Sequence, residues 1–176
     1  MGAGTSDRTS GALGRDEFIA SHRPKFEIRE PYLATIKCPT DDTERIAHQV
    51  RFILANSGDG PGIVVEGFAL VLEIPHGSWK HFAVEKGVNN FGPISLAAGA
   101  HEDKTIDLSS QASEMILSNF SRHEMNESHV PRIFLRGYVG YTDKAGTKRR
   151  TAFCRPLDYG TKMFVRVNNS DYDYVD

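Results

Sequence analysis

The sequence offers little material for metal, redox or covalent chemistry. Its cysteines are Cys38 and Cys154, far apart and without a CxxC spacing, so they build neither a zinc knuckle nor a redox pair. They could pair with each other, but two sheltered free thiols are the plainer reading. No apolar run approaches the roughly 18 residues of a membrane-spanning helix, and the first residues lack the apolar centre of a signal peptide. There is no GxSxG elbow and no phosphate or dinucleotide loop, because Ser57-Gly-Asp-Gly-Pro-Gly62 has neither the spacing nor a helix after it. Lys plus Arg number 21 against 23 Asp plus Glu, a net charge of -2, which excludes a global field drawing the chain to nucleic acid or an anionic membrane.

What is present is alternation. From Pro131 to Pro156 two arms alternate with the period of a strand: Leu135, Gly137, Val139 and Tyr141 share one face, and Phe134, Arg136, Tyr138 and Gly140 the other. Between the arms, Asp143 can bond forward to the backbone and Gly146 can take positive φ, which suits a three-residue hairpin loop ending in a bulge. In that register Val139 faces Thr151, Gly137 faces Phe153, Tyr138 faces Ala152 and Arg136 faces Cys154. Phe153 over Gly137 is then a structural pair, a ring restoring the packing that a strand glycine forfeits. Leu135, Val139, Tyr141 and Phe153 form the buried face, with Arg149 and Arg155 at its wet ends.

Elsewhere the same period recurs. Lys25 to Ile36 reads as an edge strand interrupted by Pro31, which cannot donate to a ladder. Ile46 to Asn56 places His48, Val50, Phe52 and Leu54 on one face, and Ile63 to Ile74 reads as a central strand with a bulge at Gly67. Pro93 to Ala97, Lys104 to Leu108 and Lys162 to Val167 suit short strands. Ser110 to Arg122 suits a helix or a strand equally, with Met115, Ile116, Asn119 and Phe120 on the helical stripe. Residues 1–14 are expected to be a disordered leader, with a turn or two of helix over Arg15 to Ser21, and 169–176 a frayed acidic tail. Residues 15–168 are expected to form an all-β, antiparallel β-sandwich of about seven or eight strands, with at most one or two short helices. A closed barrel is the main rival.

Spaced motifs carry a family likeness. Phe18-Ile-Ala-Ser-His22-Arg23-Pro24, then Phe52-Ile-Leu-Ala-Asn56-Ser-Gly58 before a long apolar strand, then Gly137-Tyr-Val-Gly-Tyr141-Thr-Asp143, Arg149-Arg-Thr151 and Phe153-Cys154 resemble a bacterial group. The chain is similar to the soluble, immunoglobulin-like C-terminal domain of uncharacterised membrane-anchored bacterial proteins. The likeness covers about residues 15–176. It departs where Pro61 is followed by Gly62 rather than alanine. The resemblance implies a cell-envelope setting and a tether to a membrane through a helix ahead of the His-Arg-Pro segment. This chain has no such helix, so the anchor was removed or this is a short form, soluble as given. The resemblance implies no reaction and no cofactor.

Among the seven histidines, His123 and His129 are six apart in HEMNESH, whereas a zinc-protease helix needs them four apart so that both imidazoles share one face. No metal site is expected. Asp41-Asp42 and Glu102-Asp103 lack the apolar flanks that would raise a carboxyl pKa. The surface that stands out is the outward face of the hairpin, where Phe134 and Tyr138 lie beside Arg136 and Arg150, a composition suited to protein or glycan recognition. The expected function is a non-enzymatic interaction module binding another protein or a second copy of itself. The alternatives are a carbohydrate or small-ligand sandwich using Trp79, His76 and His81 in end loops, and a metal-dependent hydrolase.

Overall fold

The structure, a computed structural model, describes residues 23–39, 44–74, 84–125, 130–167 and 174–175. The leader and the short helix expected over Arg15 to Ser21 lie outside the described residues. Ten strands and a helix follow in order: β1 (Phe26–Pro39), β2 (Glu44–Asn56), β3 (Gly62–Ile74), β4 (Val84–Phe91), β5 (Ile94–Leu96), β6 (His101–Asp107), α1 (Ser110–Glu124), β7 (Arg132–Thr142), β8 (Lys148–Asp158), β9 (Met163–Phe164) and β10 (Tyr174–Val175). All pairings are antiparallel. The protein is therefore all-β with one short helix among the described residues.

The strands run in the order β4-β3-β7-β8-β9-β1-β2-β6, with β5 added to β3 and β10 to β8. The path is continuous where two separate sheets were expected, because β8 is long enough to serve both halves. Its first nine residues pair with β7, while Leu157 and Asp158 pair with β9. The two ends of the path also approach each other, since Asn89 Nδ2 of β4 donates to the Thr105 carbonyl of β6. The result is a nearly closed, barrel-like sheet.

Alternation fills the interior. His48, Val50, Phe52 and Leu54 of β2 are buried in sequence, and from the facing strands Phe26, Val64, Val71, Ile106, Leu135, Val139 and Tyr141 join them. Phe26 and Tyr141 meet at 4.8 Å between ring centroids, so β1 and β7 share one core although they are not neighbours in the path. Each fully buried aliphatic or aromatic side chain contributes about 1.5–3 kcal/mol of transfer free energy.

Several expectations change. The irregularity in β3 lies between Val64 and Glu66, not at Gly67. Val65 is the extra residue and is exposed, whereas Gly67 pairs regularly with Val139 and lies under the Phe91 ring. β4 was not expected at all, β6 begins at His101 rather than Lys104, and β9 has two residues rather than six. Tyr174 and Val175 pair with Ala152 and Thr151 of β8, so this part of the tail is held in the sheet rather than frayed. Between Ser110 and Glu124 the helix prevails. Ser109 caps it by accepting a bond from the Ala112 amide at 3.1 Å, satisfying a donor that a helix N-terminus leaves orphaned.

Candidate functional site

The hairpin formed by β7 and β8 has the register its alternation implies: Arg136 pairs with Cys154, Gly137 with Phe153, Tyr138 with Ala152 and Val139 with Thr151. Asp143 Oδ1 accepts from the Ala145 and Thr147 amides, each at 2.9 Å, and Gly146 takes φ 81°. Leu135, Val139, Tyr141 and Phe153 point inward and are buried. Arg155 reaches from the same face to donate to the Ile28 carbonyl at 3.0 Å, bridging the gap between β8 and β1.

The outward face holds a chain of contacts across three strands. Glu66 of β3 lies opposite Gly140 of β7, which lies opposite Arg150 of β8. Because Gly140 has no side chain, Glu66 lies across it; a β-carbon there would stand 2.9 Å from Glu66 Cγ. Arg150 Nη2 meets Glu66 Oε1 at 3.1 Å. Its guanidinium sits 4.3 Å from the centroid of the Tyr138 ring, and Tyr138 in turn lies 6.1 Å from Phe68 with the planes 30° apart. An exposed ion pair is worth about 0–1 kcal/mol and an exposed cation–π contact about 0.5–1 kcal/mol. The row therefore positions Tyr138 and Arg150 more than it stabilises the fold.

Of the residues singled out in the sequence, Tyr138 and Arg150 come together and Arg136 is exposed on the same face. Phe134 does not join them. It is 5% exposed, so although alternation puts it on the outward side, it is covered and cannot serve as a surface anchor. Trp79, His76 and His81 lie outside the described residues, as do Glu127 and His129. Among the described residues no three His, Cys, Asp or Glu side chains converge as a metal site would require. Cys154 is half-buried. Sequence reasoning missed Glu66 and Phe68; only the shift in register at Val65 brings them opposite Gly140 and Tyr138.

Two other polar constellations resolve into architecture. Buried Asn56 donates from Nδ2 to the carbonyls of Gly60, Leu96 and Ala97 at 2.9, 3.2 and 3.1 Å. Its Oδ1 accepts from the amides of Lys25 and Gly58, both at 3.1 Å. A β-carbon at Gly58 would strike the backbone of Arg23 and Lys25, and one at Gly62 would stand 2.7 Å from Pro24 Cβ. The Arg23-Pro24 and Asn56-Ser-Gly58 motifs are thus two sides of one knot. The second constellation lies under α1. Ser113 Oγ accepts from the His48 amide at 3.1 Å, and Asn119 Nδ2 donates to Glu73 Oε1 at 3.4 Å, fastening the helix to β2 and β3.

The β8–β9 turn closes over the end of that helix. Tyr159 donates its hydroxyl to the Pro131 carbonyl at 2.6 Å and meets the rings of Phe120 and His123 at 5.0 and 5.1 Å. Burial, and then the nearby Glu73 carboxylate, push its phenol well above the usual range. Asp158 shapes the turn; hydrogen bonds from the Gly160 amide and then the Thr161 hydroxyl hold its carboxyl below the usual range. Burial, and then the charge of Lys162, lower the pKa of His48, whose Nδ1 has no hydrogen-bond partner.

No family model matches the chain, and no curated protein does. Among solved structures, similarity extends to a protein from Archaeoglobus fulgidus at 10% identity, covering 72% of this chain and 93% of that one with a TM-score of 0.40. The Northeast Structural Genomics Consortium target SoR45 is similar at 8% identity, covering 77% and 85% with a TM-score of 0.42. DesR, a beta-glucosidase from Streptomyces venezuelae solved in complex with D-glucose, is matched at 16% identity over 80% of this chain but 14% of that one, with a TM-score of 0.31. Likenesses this distant assign neither family nor chemistry.

Proposed function

We infer that this chain is a non-enzymatic interaction module that contacts another protein, or a second copy of itself, through the outward face of β3, β7 and β8. The observation that carries this reading is Tyr138, half-buried between Phe68 and the Arg150 guanidinium on strands whose register is fixed along their length. An aromatic ring and an arginine already held in place lose little side-chain entropy on binding, and these residue types dominate binding energy at protein interfaces. Arg136, exposed two residues before Tyr138 on the same face, adds an anchor for a partner carboxylate.

The strand path also supports an immunoglobulin-like reading in which β4-β3-β7-β8 form one layer and β9-β1-β2-β6 the other, with β8 passing between them. The likeness of the Arg23-Pro24 and Asn56-Ser-Gly58 motifs to membrane-anchored bacterial domains supports a cell-envelope setting with a membrane tether.

The test is a photo-cross-linking amino acid at position 138 in the full chain, expressed in a bacterial envelope. A discrete adduct, absent when Arg136 and Arg150 are both alanine and absent when the cross-linker stands at Asp143, is the expected outcome. Its mass separates a second copy from a different protein. Adducts that are equally abundant from both positions, or none from 138, would overturn the assignment of this face.

A further inference from the structure

On the other half of the strand path, the outward surface of β1, β2 and β6 contains a groove of about 310 Å³. Its origin is legible in β1. Pro31 cannot donate to a ladder, and the chain accommodates it with a bulge between Arg29 and Tyr32, where Glu30 and Pro31 together stand opposite the single residue Phe52. Pro31 turns inward and is buried, while Glu30 takes φ 48° and points out. A non-glycine residue held in the left-handed region costs of order 1 kcal/mol or more, a strain that clusters at binding sites.

Register then fixes what surrounds it. Tyr32, Arg51 and Thr105 lie side by side across the three strands, and the next row places Ile53 beside Asp103. Residues directly opposite on adjacent strands have β-carbons about 5 Å apart, so these side chains line an area the size of one pyranose ring. Tyr32 is 37% exposed. Arg51 is oriented by Gln49, whose Oε1 accepts from Nε and Nη2 at 3.3 and 3.2 Å, and Gln49 is itself held by Asp107 at 2.6 Å. Nη1 is left to donate outward. Among the described residues neither the Glu30 nor the Asp103 carboxylate is committed to an ion pair or hydrogen bond, although Arg29 is close by; Arg29 turns away to Glu27 at 2.5 Å.

We propose that this groove binds a neutral carbohydrate, with the Tyr32 ring as a platform and Glu30, Asp103 and Arg51 as hydrogen-bond partners of its hydroxyls. The mixture of charges selects the class. A cationic ligand attracted by Glu30 and Asp103 meets the Arg51 guanidinium, and an anionic one attracted by Arg51 meets two carboxylates; Lys104 also lines the groove, but its ammonium is committed to Glu102 at 2.6 Å. A sugar carries no charge, and each hydroxyl both donates and accepts, so it satisfies acceptors and donor together. The apolar face of a pyranose packs on an aromatic ring, and Ile53 and the methyl group of Thr105 extend that surface. This site is separate from the face proposed for protein contact.

The experiment is titration of the isotopically labelled full chain with maltose, cellobiose and N,N′-diacetylchitobiose, alongside glucosamine and glucuronate as charged comparators. At least one neutral disaccharide is expected to shift the amides of Tyr32, Arg51 and Thr105 saturably, in preference to both charged sugars. Asp103→Asn and Tyr32→Ala are each expected to weaken it by about tenfold or more, that is about 1.4 kcal/mol. Because Tyr32 also pairs with Met163 of β9, Asp103→Asn, at an exposed position, keeps the test decisive if Tyr32→Ala perturbs folding. No shift with any sugar, a preference for either charged sugar, or binding indifferent to Asp103→Asn would overturn the proposal.

Discussion

The ring of Phe153 lies over Gly137, with Cζ 2.6 Å from where a β-carbon at position 137 would stand. The same imagined carbon would strike the Phe68 carbonyl and come 2.9 Å from Ala69 Cα on β3, so the site is closed on two sides. Gly137→Ala is therefore expected to cost about 1–3 kcal/mol, the range for overpacking a filled core. Urea unfolding should show a lower midpoint with an unchanged slope.

Asn56 is the second position where a single side chain holds distant segments together. Asn56→Ala leaves buried carbonyls and amides without partners and is expected to destabilise the fold by about 3 kcal/mol or more. Asn56→Asp keeps the acceptor for Lys25 and Gly58 but turns an oxygen toward the Gly60, Leu96 and Ala97 carbonyls, so it should be the worse of the two. Thermal unfolding of both variants checks the order.

His48 makes stability depend on pH. Burial and then the Lys162 charge hold its folded pKa below the usual histidine value, so the unfolded chain takes up a proton near pH 6.5 that the folded chain resists. Its contribution is complete above about pH 6.5 and declines as pH falls below that value. His48→Gln should flatten this decline in urea midpoints measured between about pH 7.5 and 5.5, even if other histidines add a background slope.

Ser109→Ala removes the cap of α1 and is expected to cost about 1 kcal/mol. Because Ser113 ties the first turns of that helix to the His48 amide, hydrogen exchange should rise at His48 as well as along the helix, which checks the coupling directly.

Glu30 has opposite expectations for stability and binding. Glu30→Gly relieves the left-handed strain and should raise stability by up to about 1 kcal/mol. The same change removes a carboxylate from the groove and should weaken sugar binding. Paired urea and titration measurements on one variant check both.

Much of this was legible in residues. The β7–β8 register follows from Asp143, Gly146 and the match of Gly137 to Phe153, because local turn chemistry and alternation agree there. Pro31 announced a break in β1, though not that the break would turn Glu30 outward. β4 was illegible because Val84-Glu-Lys-Gly-Val-Asn-Asn-Phe91 carries glycine and asparagines that disfavour a strand, and pairing with β3 overrides them. On the outward face Phe134 is covered rather than exposed, since alternation tells which way a residue points and not what lies above it. The groove escaped because its residues come from three strands, and no stretch of sequence shows Tyr32, Arg51 and Thr105 as neighbours.

The order of strands also carries a kinetic consequence. Hairpins β1–β2 and β7–β8 join segments adjacent in the chain, whereas β3 must find β7 and β2 must find β6 across several intervening elements. Loop closure has to precede the contacts that repay it, so refolding is expected over milliseconds to seconds, in the regime of sheet proteins rather than helical bundles. The two hairpins would form early, and the β4–β6 junction would be among the last parts to assemble.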